Sequence, residues 1–100
     1  MKLIVEARAY SKPRIKISVG ASETKMKVPL HTTGAFADRL NAFAVKIITE
    51  CTKVSGGATM RGEIGMDENT GSMHVVMWFD KTGRGNCMVR PSVEIQEDIQ

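Results

Sequence analysis

The sequence predicts an α+β domain with the element order β-β-β-α-β-β-β, a mostly antiparallel sheet carrying one amphipathic helix on one face. Three observations lead there. Apolar residues alternate at a period of two in three short segments before His31, the period lengthens to about 3.6 between Thr33 and Lys53, and alternation then returns in three further segments. Each segment ends at a turn signal, and runs of strands on either side of a helical stretch are the pattern of an α+β fold.

Met1–Ala9 reads as the first strand, with Leu3, Val5, Ala7 and Ala9 on one face and Lys2, Glu6, Arg8 and Tyr10 on the other. Ser11-Lys12-Pro13 turns the chain into Arg14–Val19, where Ile15, Ile17 and Val19 alternate with Arg14, Lys16 and Ser18. Gly20–Ser22 makes the next turn. Thr24–Leu30 then sets Met26, Val28 and Leu30 against Lys25 and Lys27, and Pro29, lacking an N–H, points to a sheet edge or the end of the ladder. A three-strand meander is the simplest arrangement of these segments.

In the helical stretch, Phe36, Leu40, Phe43, Ala44, Ile47 and Cys51 fall on one stripe, while Asp38, Arg39, Asn41, Lys46, Glu50 and Lys53 occupy the other faces. Thr32 or Thr33 is placed to cap its start, and Ser55-Gly56-Gly57 ends it. Such a helix is roughly 30 Å long, enough to cross six strands spaced about 4.8 Å apart, yet it covers only one face. The remaining strand segments are Thr59–Met66, Ser72–Phe79 and Asn86–Ile95, joined by the turns 67–71 and 80–85. Pro91 implies an edge position or a bulge in the last of them. Residues 1–95 are read as one domain and 96–100 as an acidic, flexible C-terminal tail.

Size and composition narrow the class. One hundred residues suit a single core, and 42% hydrophobic with 25% charged residues fits a globular chain rather than a disordered one. Met1–Glu6 lacks a secretory apolar region and no stretch is long enough to span a membrane, so a cytoplasmic protein without membrane association is expected. Cys51 and Cys87 are expected to remain thiols. The net charge of +3 hides a gradient. Residues 1–30 hold seven basic and two acidic side chains and residues 61–100 hold four and seven, local balances of +5 and −3. This asymmetry suits a nucleic-acid-binding half or a homodimer joining opposite charges.

The segment His74–Phe79 is apolar on both parities. If Val75, Met77 and Phe79 join Met60, Ile64 and Met66 under the helix, then His74, Val76 and Trp78 emerge on the face the helix leaves open. Ile4, Tyr10 and Met88 have the parity to join them, with Arg8, Lys16, Lys25, Lys27 and Arg90 as a basic rim. An aromatic patch rimmed by cations suits base stacking with phosphate neutralisation, and the same patch suits a protein or dimer interface formed by His74, Val76, Trp78 and Met88. Arg14, Lys16, Lys25 and Lys27 form a comb on neighbouring strands, of the kind a two-stranded ribbon offers to a major groove or a solvated face presents to water. Arg84, in Thr82–Asn86, lies on a hairpin tip able to hold a phosphate or touch a protein, although no P-loop or dinucleotide fingerprint is present.

Metal and catalytic signatures are absent at the level of spacing. His31, Cys51, His74 and Cys87 have no paired short spacing, and Asp67-x-Asn69-x-Gly71 lacks the remaining ligands of a calcium loop. No nucleophile–base pair is legible, so no enzyme activity, cofactor or metal is expected. The leading expectation is a small non-catalytic nucleic-acid-binding protein using Arg14, Lys16, Lys25, Lys27 and Arg84 for phosphates and Tyr10 or Trp78 for stacking. The alternatives are a protein-binding inhibitor or adaptor, of the phage or mobile-element type, that occludes a partner through the apolar sheet face and the Gly/Arg loop, and a structural subunit of a larger assembly. A homodimer through the open face or an edge strand accompanies the reading.

Overall fold

The computed structural model describes residues 2–9, 14–32, 34–67, 69–79 and 93–96. Six strands, β1 (Lys2–Arg8), β2 (Ile15–Val19), β3 (Glu23–Pro29), β4 (Met60–Met66), β5 (Met73–Phe79) and β6 (Val93–Gln96), form one sheet, with helix α1 (Gly34–Ser55) between β3 and β4. The sheet order is β1-β3-β2-β4-β5-β6, and every neighbouring pair is antiparallel except β1 with β3. The α+β class and the element order therefore stand as expected. Of the last expected strand, 93–95 is described within β6, which also takes in Gln96, expected in the tail; the turn 80–85, residues 86–92 and 97–100 lie outside the described residues.

The N-terminal meander does not form. β1 passes over to the far side of β3 and pairs with it in parallel, Lys2 beside Glu23 through Arg8 beside Pro29. Alternation alone is silent about this choice, because it assigns faces and not neighbours. β3 is consequently an interior strand, and Pro29 marks its end rather than a sheet edge. Pairing with β2 runs only as far as Lys27, so the missing N–H interrupts no antiparallel rung. The carbonyl oxygen of Pro29 instead accepts from both the backbone N–H and the Oγ1 hydroxyl of Thr32. That bond uses the Thr32 hydroxyl as a donor in the turn that precedes the helix; Thr33 lies outside the described residues.

Helix α1 crosses from β3 to β4 over β2, which is antiparallel to both, making a split β-α-β unit. Leu40, Phe43, Ala44, Ile47 and Cys51 are buried beneath it, at the expected helical spacing. Ile17, Val19, Met26, Val28, Met60, Ile64, Met73, Val75 and Met77 meet them from the sheet. Four methionines in this set supply flexible side chains that fill the irregular space between a helix and a twisted sheet. Gly56 and Gly57, at φ 59° and 96°, then reverse the chain after the helix.

Coverage by the helix is uneven. It lies closest to β5 and β6, and the far edge is left open: Leu3 packs against the core, but Val5 is 46% exposed although it shares the helix side with Met26. Met66, expected under the helix, is 40% exposed because it sits at the end of β4, where the strand runs into the hairpin. That hairpin is held by its own backbone and by Asp67, whose Oδ1 accepts from Asn69 N–H at 2.9 Å while its carbonyl accepts from Gly71 N–H at 2.7 Å. The Asp67–Gly71 segment is thus an Asx-type turn closing β4 onto β5.

Two consequences are measurable. Gly62 faces the core opposite Met77, and a Cβ there would meet Met77 Sδ and the Val76 carbonyl oxygen. Gly62→Ala is expected to destabilise the fold by about 1–3 kcal/mol through overpacking, read from urea denaturation midpoints. Burial, reinforced by the neighbouring Glu50 charge, raises the Cys51 thiol from 9.0 to about 11. A group whose folded value lies above its unfolded value contributes stability that is complete below the unfolded value and is lost as pH rises through the folded one. In a Cys87→Ser background, stability should therefore fall between about pH 9 and 11 more steeply than in the same background with Cys51→Ala, a difference that parallel thermal melts would reveal.

Candidate nucleic-acid interface

The face of the sheet opposite the helix is built by alternation. On β2 and β3, Ile17, Val19, Met26 and Val28 turn toward the core, so Lys16, Ser18, Lys25 and Lys27 must turn away. On β4, Met60 and Ile64 do the same for Arg61 and Glu63, and on β5 the buried Met73, Val75 and Met77 leave His74, Val76 and Trp78 on the open side. The parity assigned to His74, Val76 and Trp78 is thus realised. Val76 and Trp78 are half-buried and His74 is exposed.

Strand order arranges these residues in rows. One row runs Ile4–Lys25–Ser18–Arg61–Trp78 across β1, β3, β2, β4 and β5. The next runs Glu6–Lys27–Lys16–Glu63–Val76. The middle of the face is a cationic cluster of Lys16, Lys25, Lys27 and Arg61, which with Ser18, Glu63 and Trp78 lines an open hollow of about 420 Å³. Among the described residues, four cations and one carboxylate line it, a positive balance. Lys16 sits opposite Lys27, a juxtaposition that costs stability in isolation and is balanced here by Glu63 on one side and Glu6 on the other.

Glu6 is held by Arg8, whose guanidinium donates to it at 2.9 Å. That hydrogen bond is the main reason its carboxyl lies below the ordinary value, with the charges of Arg8, Lys27 and Lys25 adding to it. Lys25 stands 3.5 Å from Glu23 on its own strand, a solvent-exposed pair. On β4, Gly65 faces His74, and a Cβ at Gly65 would fall 2.6 Å from the imidazole Cε1. The glycine therefore gives the histidine ring room to lie against the strand.

The expected site is partly reassembled. Lys16, Lys25, Lys27 and Trp78 come together, and Arg14, exposed just before β2, continues the line of Lys16 toward the end of the sheet. Tyr10, Arg84, Met88, Arg90 and Cys87 lie outside the described residues. Ile4 does reach the open face but stands four strand spacings from Trp78, about 19 Å, so the two do not form one apolar patch. Among the described residues, cations on β3, β2 and β4 separate Ile4 from Val76 and Trp78. Comparison with protein families, curated proteins and solved structures finds no match. The functional reading consequently rests on this geometry.

Arg61 is the residue that sequence reasoning missed. Its parity opposite Met60 and Ile64 was legible, but its place between Ser18 and Trp78 depends on β2 lying beside β4. The cationic comb is also not a free two-stranded ribbon, since β2 and β3 lie inside the sheet with β1 and β4 on their flanks. Among the described residues, no three His, Cys, Asp or Glu side chains gather in a metal-binding group. No described helix is long and apolar enough to cross a membrane.

Proposed function

We propose that this protein is a small, non-catalytic nucleic-acid-binding protein that takes the phosphate backbone on the open face of its sheet. The observation that carries the reading is the convergence of Lys16, Lys25, Lys27 and Arg61 from three adjacent strands around one hollow with Trp78 at its side. Closely spaced cations on one sheet face neutralise successive phosphates, and the release of condensed counterions supplies much of the affinity. Trp78 adds a flat apolar surface beside Arg61, suited to a base. Arg14 extends the basic track, and Arg84, outside the described residues, remains a further phosphate contact in this reading.

The protein-docking alternative draws on the same face less well. A protein interface centres on an apolar core with a charged rim, whereas among the described residues the centre is charged and Ile4 on β1 and Trp78 on β5 stand four strand spacings apart. Self-association is more readily accommodated at β1, an edge strand among the described residues. An antiparallel contact with a second copy centred on Ile4 would set Lys2 opposite Glu6 and Leu3 opposite the exposed Val5, joining unlike charges and covering apolar surface.

Replacing Lys25 and Lys27 together by glutamine should flatten the dependence of log affinity on log salt by roughly 1.4–1.8, at about 0.7–0.9 per phosphate contact, with little change in melting temperature. Equal slopes for parent and variant in fluorescence anisotropy titrations would refute the reading. Glu63→Gln should act in the opposite direction, strengthening binding at low salt by removing the carboxylate that lines the hollow. For the edge contact, sedimentation should give a concentration-dependent dimer that Val5→Lys abolishes; a parent that stays monomeric at all concentrations would exclude it.

A further inference from the structure

We infer that the ligand of the open face is a single-stranded nucleic acid, bound with one unpaired base in the hollow against Trp78 and its backbone running across β4, β2 and β3. This inference rests on the nucleic-acid reading above and specifies the form of nucleic acid that the geometry accepts.

The shape of the cationic surface argues against a duplex. Lys16, Lys25 and Lys27 project from interior strands of a six-stranded sheet whose span, at about 4.8 Å per spacing, is roughly 24 Å. A major groove is about 12 Å wide and admits a helix or a two-stranded ribbon, so this sheet cannot bring β2 and β3 to the base edges. Pressed against the outside of a duplex, the same face would meet phosphate ridges while Trp78 and the hollow beside it went unused.

A single strand matches both features together. The hollow, about 420 Å³ and open along the sheet, is lined at one end by Trp78 and along its length by Arg61, Ser18, Lys16, Lys25 and Lys27. An unpaired base can leave the stack and lie on an aromatic side chain, as a paired one cannot without being extruded. From Trp78 on β5 the register leads through Arg61 on β4 and Ser18 on β2 to Lys25 on β3, about 14 Å across three strand spacings. Phosphates on the β4 side of the stacked base then fall over cations. Among the described residues only Glu63 opposes them within the hollow, and it lies in the neighbouring row beside Lys16. Since every base has a π-face, the site should be tolerant of sequence.

The test is anisotropy of labelled 12-nucleotide oligo-dT and oligo-U and of a mixed-sequence 20-base-pair duplex, at low and near-physiological salt. It uses the parent protein, Trp78→Ala, Trp78→Phe and the Lys25→Gln/Lys27→Gln pair, each checked for folding by circular dichroism. The single strands should bind at least tenfold more tightly than the duplex. Trp78→Ala should lose roughly 5- to 150-fold of single-strand affinity with an unchanged salt slope, while Trp78→Phe keeps most of it. Equal affinity for single strand and duplex, with Trp78→Ala binding like the parent, would overturn this inference and leave a backbone-directed nucleic-acid protein. Absence of binding to all three probes at low salt would overturn the nucleic-acid reading itself.

Discussion

The packing of α1 against the sheet is the contact on which the rest of the molecule depends. Leu40, Phe43, Ala44, Ile47 and Cys51 seal one face over Met26, Met60, Met73, Val75 and Met77, and the burial of these side chains supplies the principal driving force for folding. α1 is the sole helix among the described residues, and none of those residues forms a covering layer on the opposite face. Its composition then has to be compatible with water, and Lys16, Lys25, Lys27, Arg61 and Glu63 meet that requirement in the centre of the sheet.

The same constraint explains why charge concentrates where it does. A strand with one buried face must put polar side chains on the other, and β2, β3 and β4 do so with a basic bias. Lys16 opposite Lys27 would be unfavourable on a bare ribbon, but Glu6 from β1 and Glu63 from β4 bracket the pair. This arrangement lets the fold tolerate a cationic centre. β5 differs, because Val76 and Trp78 are apolar on the open side, and the step from cations on β4 to Trp78 on β5 gives the hollow its mixed chemistry.

The position of β1 has the largest effect on how the face is read. Had β1 paired with β2 in a meander, β2 would be flanked by β1 and β3, and Lys16 and Ser18 would not lie beside β4. By pairing with β3 instead, β1 carries Ile4 to the far edge and leaves β2 beside β4, which sets Lys16 and Ser18 next to Glu63 and Arg61. The crossover of α1 over β2 fits this order, since β3 and β4 run parallel on either side of that strand.

Local pattern by itself determined the secondary elements and the facing of nearly every residue. A period of two in β1–β5 and of 3.6 in α1 follows from backbone geometry, and the burial of Ile17, Met26, Leu40, Ile47, Val75 and Met77 obeys it. The pattern also separated Lys16, Lys25 and Lys27 from the core and put Trp78 on their side of the sheet. Alternation carries no information about which strand lies next to which, because pairing is made by backbone groups that all residues but proline share. Only the tertiary structure decided that Arg61 lies between Ser18 and Trp78, that Pro29 ends an interior strand, that Met66 clears the edge of the core, and that Ile4 and Trp78 are kept apart by a cationic centre.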